Sequence, residues 1–301
     1  MSFWNNIYLG KITSCHTQAI FNAYFSSSNY DKYLLFEILT TNSFGVQYIS
    51  NDPNRILDSY LDFDLGLDRA FELLNMDYRI SYNKSIKNSL KKLRDWLKYD
   101  NVVVGPLNME DLPYLYYPQL YKNLDHYLVV KKYENNKIYL LDPEGIASIS
   151  INEKDFIKAW SGDNIIEGRG KYIMRQILKS SDIDVSKINL NKLYQFIIDN
   201  LLKARQNSAY KKLAQIDIKS NTYLISGFSY ALPNRLQKLY IQKEFFKDKN
   251  LDIVFILDNQ IEIFNKMLSQ ILEKKELDLN KFLQIDKLEN YLLNEIKGFI
   301  K

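Results

Sequence analysis

Along the first 180 residues the apolar positions change period repeatedly, whereas along the last third of the chain they keep a helical spacing almost throughout. Thr17-Gln-Ala-Ile-Phe-Asn-Ala-Tyr-Phe25 gathers its apolar residues on one helical face, and a second helical period covers residues 32–41. Residues 43–49 read as a short strand kinked at Gly45. Helical patterns are expected over 55–61 and 68–75, and an alternating strand over 77–82. Residues 84–98 form an amphipathic helix with Ile86, Leu90, Leu93 and Leu97 on its buried side. Asn101-Val-Val-Val-Gly105 reads as a buried strand. Residues 106–122 are rich in Pro and Tyr and show no period, so a loop over the site is expected there. Strands follow at 126–133, 137–141 and 147–151, then a helix at 153–160 and a strand at 171–178. Beyond Ser180-Ser-Asp-Ile-Asp184 the segments 190–213, 221–247, 251–276 and 279–301 are all helical in period. A mixed first part and a helical second part give an α+β class, with one domain over 1–180 and a helical C-terminal region over 181–301.

Composition narrows the class. The chain has 301 residues, 46% of them apolar, enough for a packed core. No run approaches the roughly 18 to 20 apolar residues of a membrane span, and the first 25 residues carry Asn5, Asn6 and Lys11 without a long apolar stretch. A cytoplasmic protein with no membrane partner is expected. One cysteine forbids an internal disulfide and, with two histidines, argues against a metal site. The net charge of +4 points to no nucleic-acid partner. It is unevenly spread, with 19 Lys+Arg against 13 Asp+Glu from Ser186 onward and 21 against 23 before it.

The lone cysteine is Cys15, placed where the polar stretch Leu9-Gly-Lys-Ile-Thr-Ser14 meets the first helix. A thiol at a helix start feels the positive end of the helix and its free N–H groups, which favour the thiolate. The competing reading is a small, inert core residue. Two histidines exist to serve as its base. His16 is the sequence neighbour and points elsewhere around the helix, which leaves His126, in Asp125-His-Tyr-Leu-Val-Val130. Asp142, in Leu140-Leu-Asp-Pro143, stands across what reads as a hairpin. A nucleophilic thiol, an imidazole that takes and returns a proton and a carboxylate that fixes the imidazole's tautomer are the parts of a cysteine acyl-transfer site.

This triad makes a demand on the hairpin. A regular ladder closed by a two-residue loop at Asn135-Asn136 would set Asp142 opposite Val129, on the face away from His126. An odd-length loop or a bulge moves Asp142 opposite Leu128, onto His126's face and one diagonal step from it, or directly opposite His126. One of these must be present if the pair is to meet.

His126-Tyr-Leu-Val-Val-Lys-Lys-Tyr133, a short turn and Ile138-Tyr-Leu-Leu-Asp-Pro143 resemble the His and Asp strands of papain-like cysteine enzymes, in the branch that contains double-glycine leader peptidases and the butirosin-biosynthesis acyltransferases. About 18 residues carry the resemblance, with Cys15 as an N-terminal anchor. It implies a papain-like fold with an antiparallel sheet, Cys15 as nucleophile, His126 as base and acid, Asp142 as orienter, and no cofactor. The sequence departs from the peptidase pattern at Leu9, where such enzymes place the glutamine of the oxyanion hole. The Cys15 N–H supplies one donor, and Asn5, Asn6 and Gln47 are the candidates for the second. Losing one donor costs about 2.7 to 4 kcal/mol in the transition state, which an amide feels more than an activated thioester. That departure, and a helical half instead of an exporter, favour an amide-forming acyltransferase of secondary metabolism, of the butirosin or closthioamide type. Such an enzyme takes its acyl group from the phosphopantetheine arm of an acyl or peptidyl carrier protein and gives it to a small amine. A cysteine peptidase or thioesterase is the alternative within the same chemistry, and an inactive binding or self-resistance protein the alternative outside it.

Two further features bear on partners. Lys84, Lys87, Lys91, Lys92, Arg94 and Lys98 make a basic helix face that suits either an acidic carrier protein or plain solvent. Tyr114, Tyr116, Tyr117 and Tyr121 either line a substrate channel or pack a long loop. Water must be kept from the acyl-enzyme, a task open to this loop and the helical half.

Overall fold

A computed structural model describes residues 14–25, 30–49, 56–122, 124–144, 146–163, 170–178, 188–217 and 222–300. Its elements run α1 (Cys15–Tyr24), α2 (Tyr30–Thr40), β1 (Val46–Tyr48), β2 (Ile56–Ser59), α3 (Phe63–Leu73), β3 (Tyr78–Ser81), α4 (Ile86–Trp96), β4 (Val102–Asn108), β5 (Asp125–Glu134), β6 (Lys137–Asp142), β7 (Ile146–Asn152), α5 (Glu153–Trp160), β8 (Met174–Ile177), α6 (Leu190–Asn207), α7 (Ala209–Ala214), α8 (Thr222–Phe246), α9 (Leu251–Leu272) and α10 (Lys281–Lys297). By compactness the chain divides into one unit of Met1–Tyr33 with Asp62–Ile188 and another of Leu34–Leu61 with Asn189–Lys301. The change of character expected near residue 180 lies close to Ile188. The segment Leu34–Leu61, assigned to the first domain by the sequence pattern, is grouped with the C-terminal helices.

The first unit is built on a six-stranded antiparallel sheet in the order β3-β8-β4-β5-β6-β7. Its central strand β4 is buried along its whole length, which is why Val102-Val103-Val104 reads as an unbroken apolar run. Val102, Val104, Leu128, Val130 and Leu140 join Leu90, Leu93 and Trp96 of α4 and Phe156 and Trp160 of α5 in one core. α1 packs on β4 and β5. Leu93, Phe156 and Trp160 have no exposed surface, so Leu93→Ala would cost about 2 to 5 kcal/mol. Asp62 caps α3 by accepting from Asp64 N and Leu65 N, and Ser85 caps α4 by accepting from Asn88 N.

The hairpin of β5 and β6 satisfies two constraints at once. Asn135 and Asn136 both take left-handed backbone angles, φ 51° and 57°, the two-residue turn whose twist matches the flanking strands. Pairing therefore starts in the regular register, Glu134↔Lys137, Tyr133↔Ile138 and Lys132↔Tyr139. It then shifts by one, to Val130↔Leu140 and Val129↔Leu141, because Lys131 is an extra residue on β5. Beyond that bulge Asp142 lies on the face of His126.

The second unit holds the β1–β2 hairpin and helices α6–α10. Residues 56–59 form a strand where a helical pattern was expected over 55–61; a seven-residue segment is too short for its period to separate the two, and pairing with Val46–Tyr48 decides it. Segment 41–43 is held by polar side chains from the C-terminal helices. Asn200 Nδ2 donates to Thr41 O (3.0 Å), while Arg235 Nη1 (2.7 Å) and Gln242 Nε2 (2.6 Å) donate to Ser43 O. Gly45 follows at φ +77°, and a methyl group there would lie 2.9 Å from Ala204 Cβ. These contacts group the segment with the helices.

Candidate active site

α1 begins at Cys15, so the half-buried thiol occupies the first helical position. The start of the helix is fixed by Ser14 O, which accepts from Gln18 N (3.2 Å) and Thr17 Oγ1 (2.9 Å). Its far end is tied to the sheet: Tyr24 Oη donates to Asn101 O (2.6 Å) and Asn101 Nδ2 donates back to Ala23 O (3.1 Å). His16 is buried between Phe63 and Tyr127, with ring centroids 4.5 and 5.7 Å away. Its ring is thus taken up by aromatic packing.

At the start of β5, His126 Nε2 lies 2.8 Å from Asp142 Oδ1, and both side chains are buried. Asp142 Oδ1 also accepts from the Glu144 N–H (2.8 Å), an Asx turn across Pro143. Its other oxygen accepts from Tyr114 Oη at 2.7 Å. Both oxygens are therefore occupied, and the carboxylate cannot rotate without disturbing all three bonds. Burial opposes charge on Asp142, yet the bond and charge of His126, with Tyr114 and the Glu144 N–H, hold its carboxyl below the usual range. Burial likewise opposes an imidazolium, but the bond to Asp142 and the charges of Asp142, Glu144 and Asp125 hold His126 above its ordinary value. With Nε2 directed to Asp142, Nδ1 is the nitrogen left for proton transfer.

The thiol's surroundings correct one expectation. A helix start favours thiolate, but burial, followed by the charges of Asp125 and Glu144 and then Asp142, pushes the Cys15 thiol well up, and the backbone N–H of Tyr127 only partly offsets them. The three carboxylates that act on Cys15 are the same three that act on His126.

Other candidates from the sequence fall differently. Asn5 and Asn6 lie outside the described residues. Gln47 is in β1, in the second unit. Tyr114 binds Asp142, whereas Tyr116 and Tyr117 are 92% and 60% exposed; the Tyr121 side chain lies outside what is described. The segment 106–122 is partly ordered by the end of β4 and by short 3-10 turns at Met109–Asp111 and Pro118–Tyr121. On α4, Lys92 donates to Ser81 Oγ and Arg94 reaches Tyr133 and Glu153, while Lys98, just beyond the helix, pairs with Asp95. Lys84, Lys87 and Lys91 are exposed on the same helix region. Among the described residues no group of three or more His, Cys, Asp or Glu side chains is placed to hold a metal ion, and no helix is long and apolar enough to cross a membrane.

Sequence reasoning missed the Tyr114 bond, because the loop has no period to fix which tyrosine turns inward. It also missed the buried set Asp64, Tyr127 and Arg175 beside the site.

Comparison with known proteins bears on the same segment. Residues 83–168 match the Peptidase C39 family, a stretch that contains His126 and Asp142 and begins beyond Cys15. The chain is 28% identical over 223 residues to the uncharacterized protein YobF of Bacillus subtilis (strain 168), covering 70% of this chain and 66% of YobF. It is 25% identical over 236 residues to the aspartate–tRNA ligase of Buchnera aphidicola subsp. Acyrthosiphon pisum (strain Tuc7), covering 75% of this chain and 36% of the ligase. The chain thus spans just under two thirds of the first relative and about a third of the second. The mixed α/β unit with its antiparallel sheet is consistent with a papain-like fold of the C39 kind, and the family match supports a function related to that of cysteine proteases.

Proposed function

We propose that the protein is a cysteine-dependent acyltransferase that forms amides, with Cys15 as nucleophile, His126 as base and acid, and Asp142 as the residue that orients His126. The observation that carries this reading is the buried His126–Asp142 bond, together with three carboxylates that act on both His126 and the helix-start thiol of Cys15. As the Cys15 sulfur attacks the carbonyl of an acyl thioester, His126 takes the thiol proton and delivers it to the departing thiolate. The products of this half are an acyl-Cys15 thioester and the free donor thiol. An amine then attacks the acyl-enzyme; His126 removes its proton and returns it to the Cys15 sulfur as the amide leaves.

Two features support a thioester donor. A thiol pushed up by burial, and then by neighbouring carboxylates, must be deprotonated during attack, and those carboxylates oppose the growing oxyanion, so an activated acyl group suits the site better than an amide. Leu9 stands where peptidases of this type place an oxyanion glutamine. An acyl or peptidyl carrier protein is the fitting donor, with the exposed Lys84, Lys87 and Lys91 as its complementary surface. A reduced cytoplasmic setting fits a free thiol.

The match of residues 83–168 to a peptidase family favours peptide cleavage as the second reading. Product analysis decides between them. Purified protein given small-molecule acyl thioesters with and without amines, and separately given peptides, is expected to form amide in preference to free acid and to leave peptides intact. Efficient peptide cleavage without thioester turnover would establish the peptidase reading instead.

A further inference from the structure

The residue that follows His126 belongs to a closed ring of buried groups that the chemical steps leave unused. Tyr127 Oη donates to Asp64 Oδ1 at 2.8 Å, and Arg175 Nη2 pairs with the same oxygen at 2.7 Å. Arg175 Nη1 donates to Gly105 O at 3.4 Å, and Gly105 closes the ring by lying directly under Tyr127. A methyl group at Gly105 would stand 2.5 Å from Tyr127 Cδ1 and 2.7 Å from His126 O, so the approach of β4 to this peptide requires glycine. Asp64, Tyr127 and Arg175 are each 1% exposed. Four elements, α3, β5, β8 and β4, are joined through them.

Burying a carboxylate and a guanidinium is costly, and apolar side chains of similar volume often give equal or greater stability. The ring therefore calls for an account other than stability. Tyr127 has two links to the catalytic helix. Its aromatic ring backs His16, the residue after Cys15, and its backbone N–H is among the groups that favour a charged Cys15 sulfur. His16 in turn rests on Phe63, the neighbour of Asp64 in α3. Holding Tyr127 at its hydroxyl thus holds the peptide between His126 and Tyr127 relative to the start of α1.

We propose that Asp64 and Arg175 are positioning residues which, through the Tyr127 hydroxyl, hold the His126–Tyr127 peptide against Cys15. The proposal rests on the reading of Cys15 and His126 as nucleophile and base. It predicts that Tyr127→Phe, which keeps the aromatic ring and removes only the hydroxyl, changes the reactivity of a thiol on another element.

The test is alkylation of Cys15 by iodoacetamide between pH 5 and 10, which needs no substrate, with a thermal melt of each variant. Tyr127→Phe and Asp64→Asn are expected to slow alkylation at pH 8 by about two- to tenfold, the range of one net hydrogen bond, and to move the profile to higher pH while melting cooperatively. Lowered melting temperatures with an unchanged alkylation profile would reduce the ring to a structural role and overturn the proposal. If one variant does not fold, the other decides. His126→Ala in the same assay separates the two layers: an unchanged profile there removes the reading of His126 as base, whereas a changed one beside an unaltered Tyr127→Phe removes only the positioning role.

Discussion

At Asp142 a single carboxylate answers to three donors, and that arrangement sets the expected pH behaviour of the site. Its folded-state value is lowered, so its contribution to stability is present above the unfolded value of about 3.9 and is lost as pH falls through the folded one. His126 is raised, so its contribution is present below the unfolded value of about 6.5 and is lost as pH rises through the folded one. Both are complete only between about pH 4 and 6.5. The difference in melting temperature between wild type and Asp142→Asn is predicted to be largest in that window and to shrink on either side. A difference that stayed constant from pH 4 to 9 would contradict the assignment. The pairing of His126 with Asp142 was legible in the sequence, because the histidine is one of two and the carboxylate sits in a strong local pattern. The sequence did not carry the surroundings of the Cys15 thiol. The helix start is a local feature readable from the chain, while Asp125, Glu144 and Asp142 reach Cys15 only through the fold.

Among the elements, the hairpin decides whether a triad is geometrically available. Its turn residues alone, Asn135-Asn136, would have placed Asp142 on the wrong face, and the bulge at Lys131 reverses that outcome. Deleting Lys131 is accordingly predicted to restore the regular register and reduce acyl transfer by about 100-fold or more, the order expected when a catalytic group is misplaced. Lys131→Ala keeps the bulge and should retain activity. Equal activity of the deletion and the substitution, with cooperative melts for both, would show that the bulge is not what brings Asp142 to His126. The need for such an irregularity was legible in the sequence, because strand alternation and loop length fix it together. Its position was not, since Lys131-Lys132 gives no local signal of which residue stands out of the ladder. The strand at 56–59 was missed for a related reason: four residues define no period, and their partner strand β1 lies outside the local window.

For the molecule as a whole, the pattern of the chain gave the class and the order of elements well, because long helices and alternating strands signal themselves. It gave the grouping of segments less well. Leu34–Leu61 is joined to the C-terminal helices by Asn200, Arg235 and Gln242 reaching the backbone of 41–43, contacts spanning more than 150 residues that no window of sequence contains. The account of function depends on one event, transfer of an acyl group to the sulfur of Cys15. Intact-protein mass spectrometry after incubation with acyl thioesters, with and without amines, measures it directly. The wild type is predicted to gain the mass of one acyl group at Cys15, to lose it when amine is added as amide appears, and Cys15→Ala to gain none. An unmodified wild type with every thioester offered, or amide formation that survives in Cys15→Ala, would contradict the account.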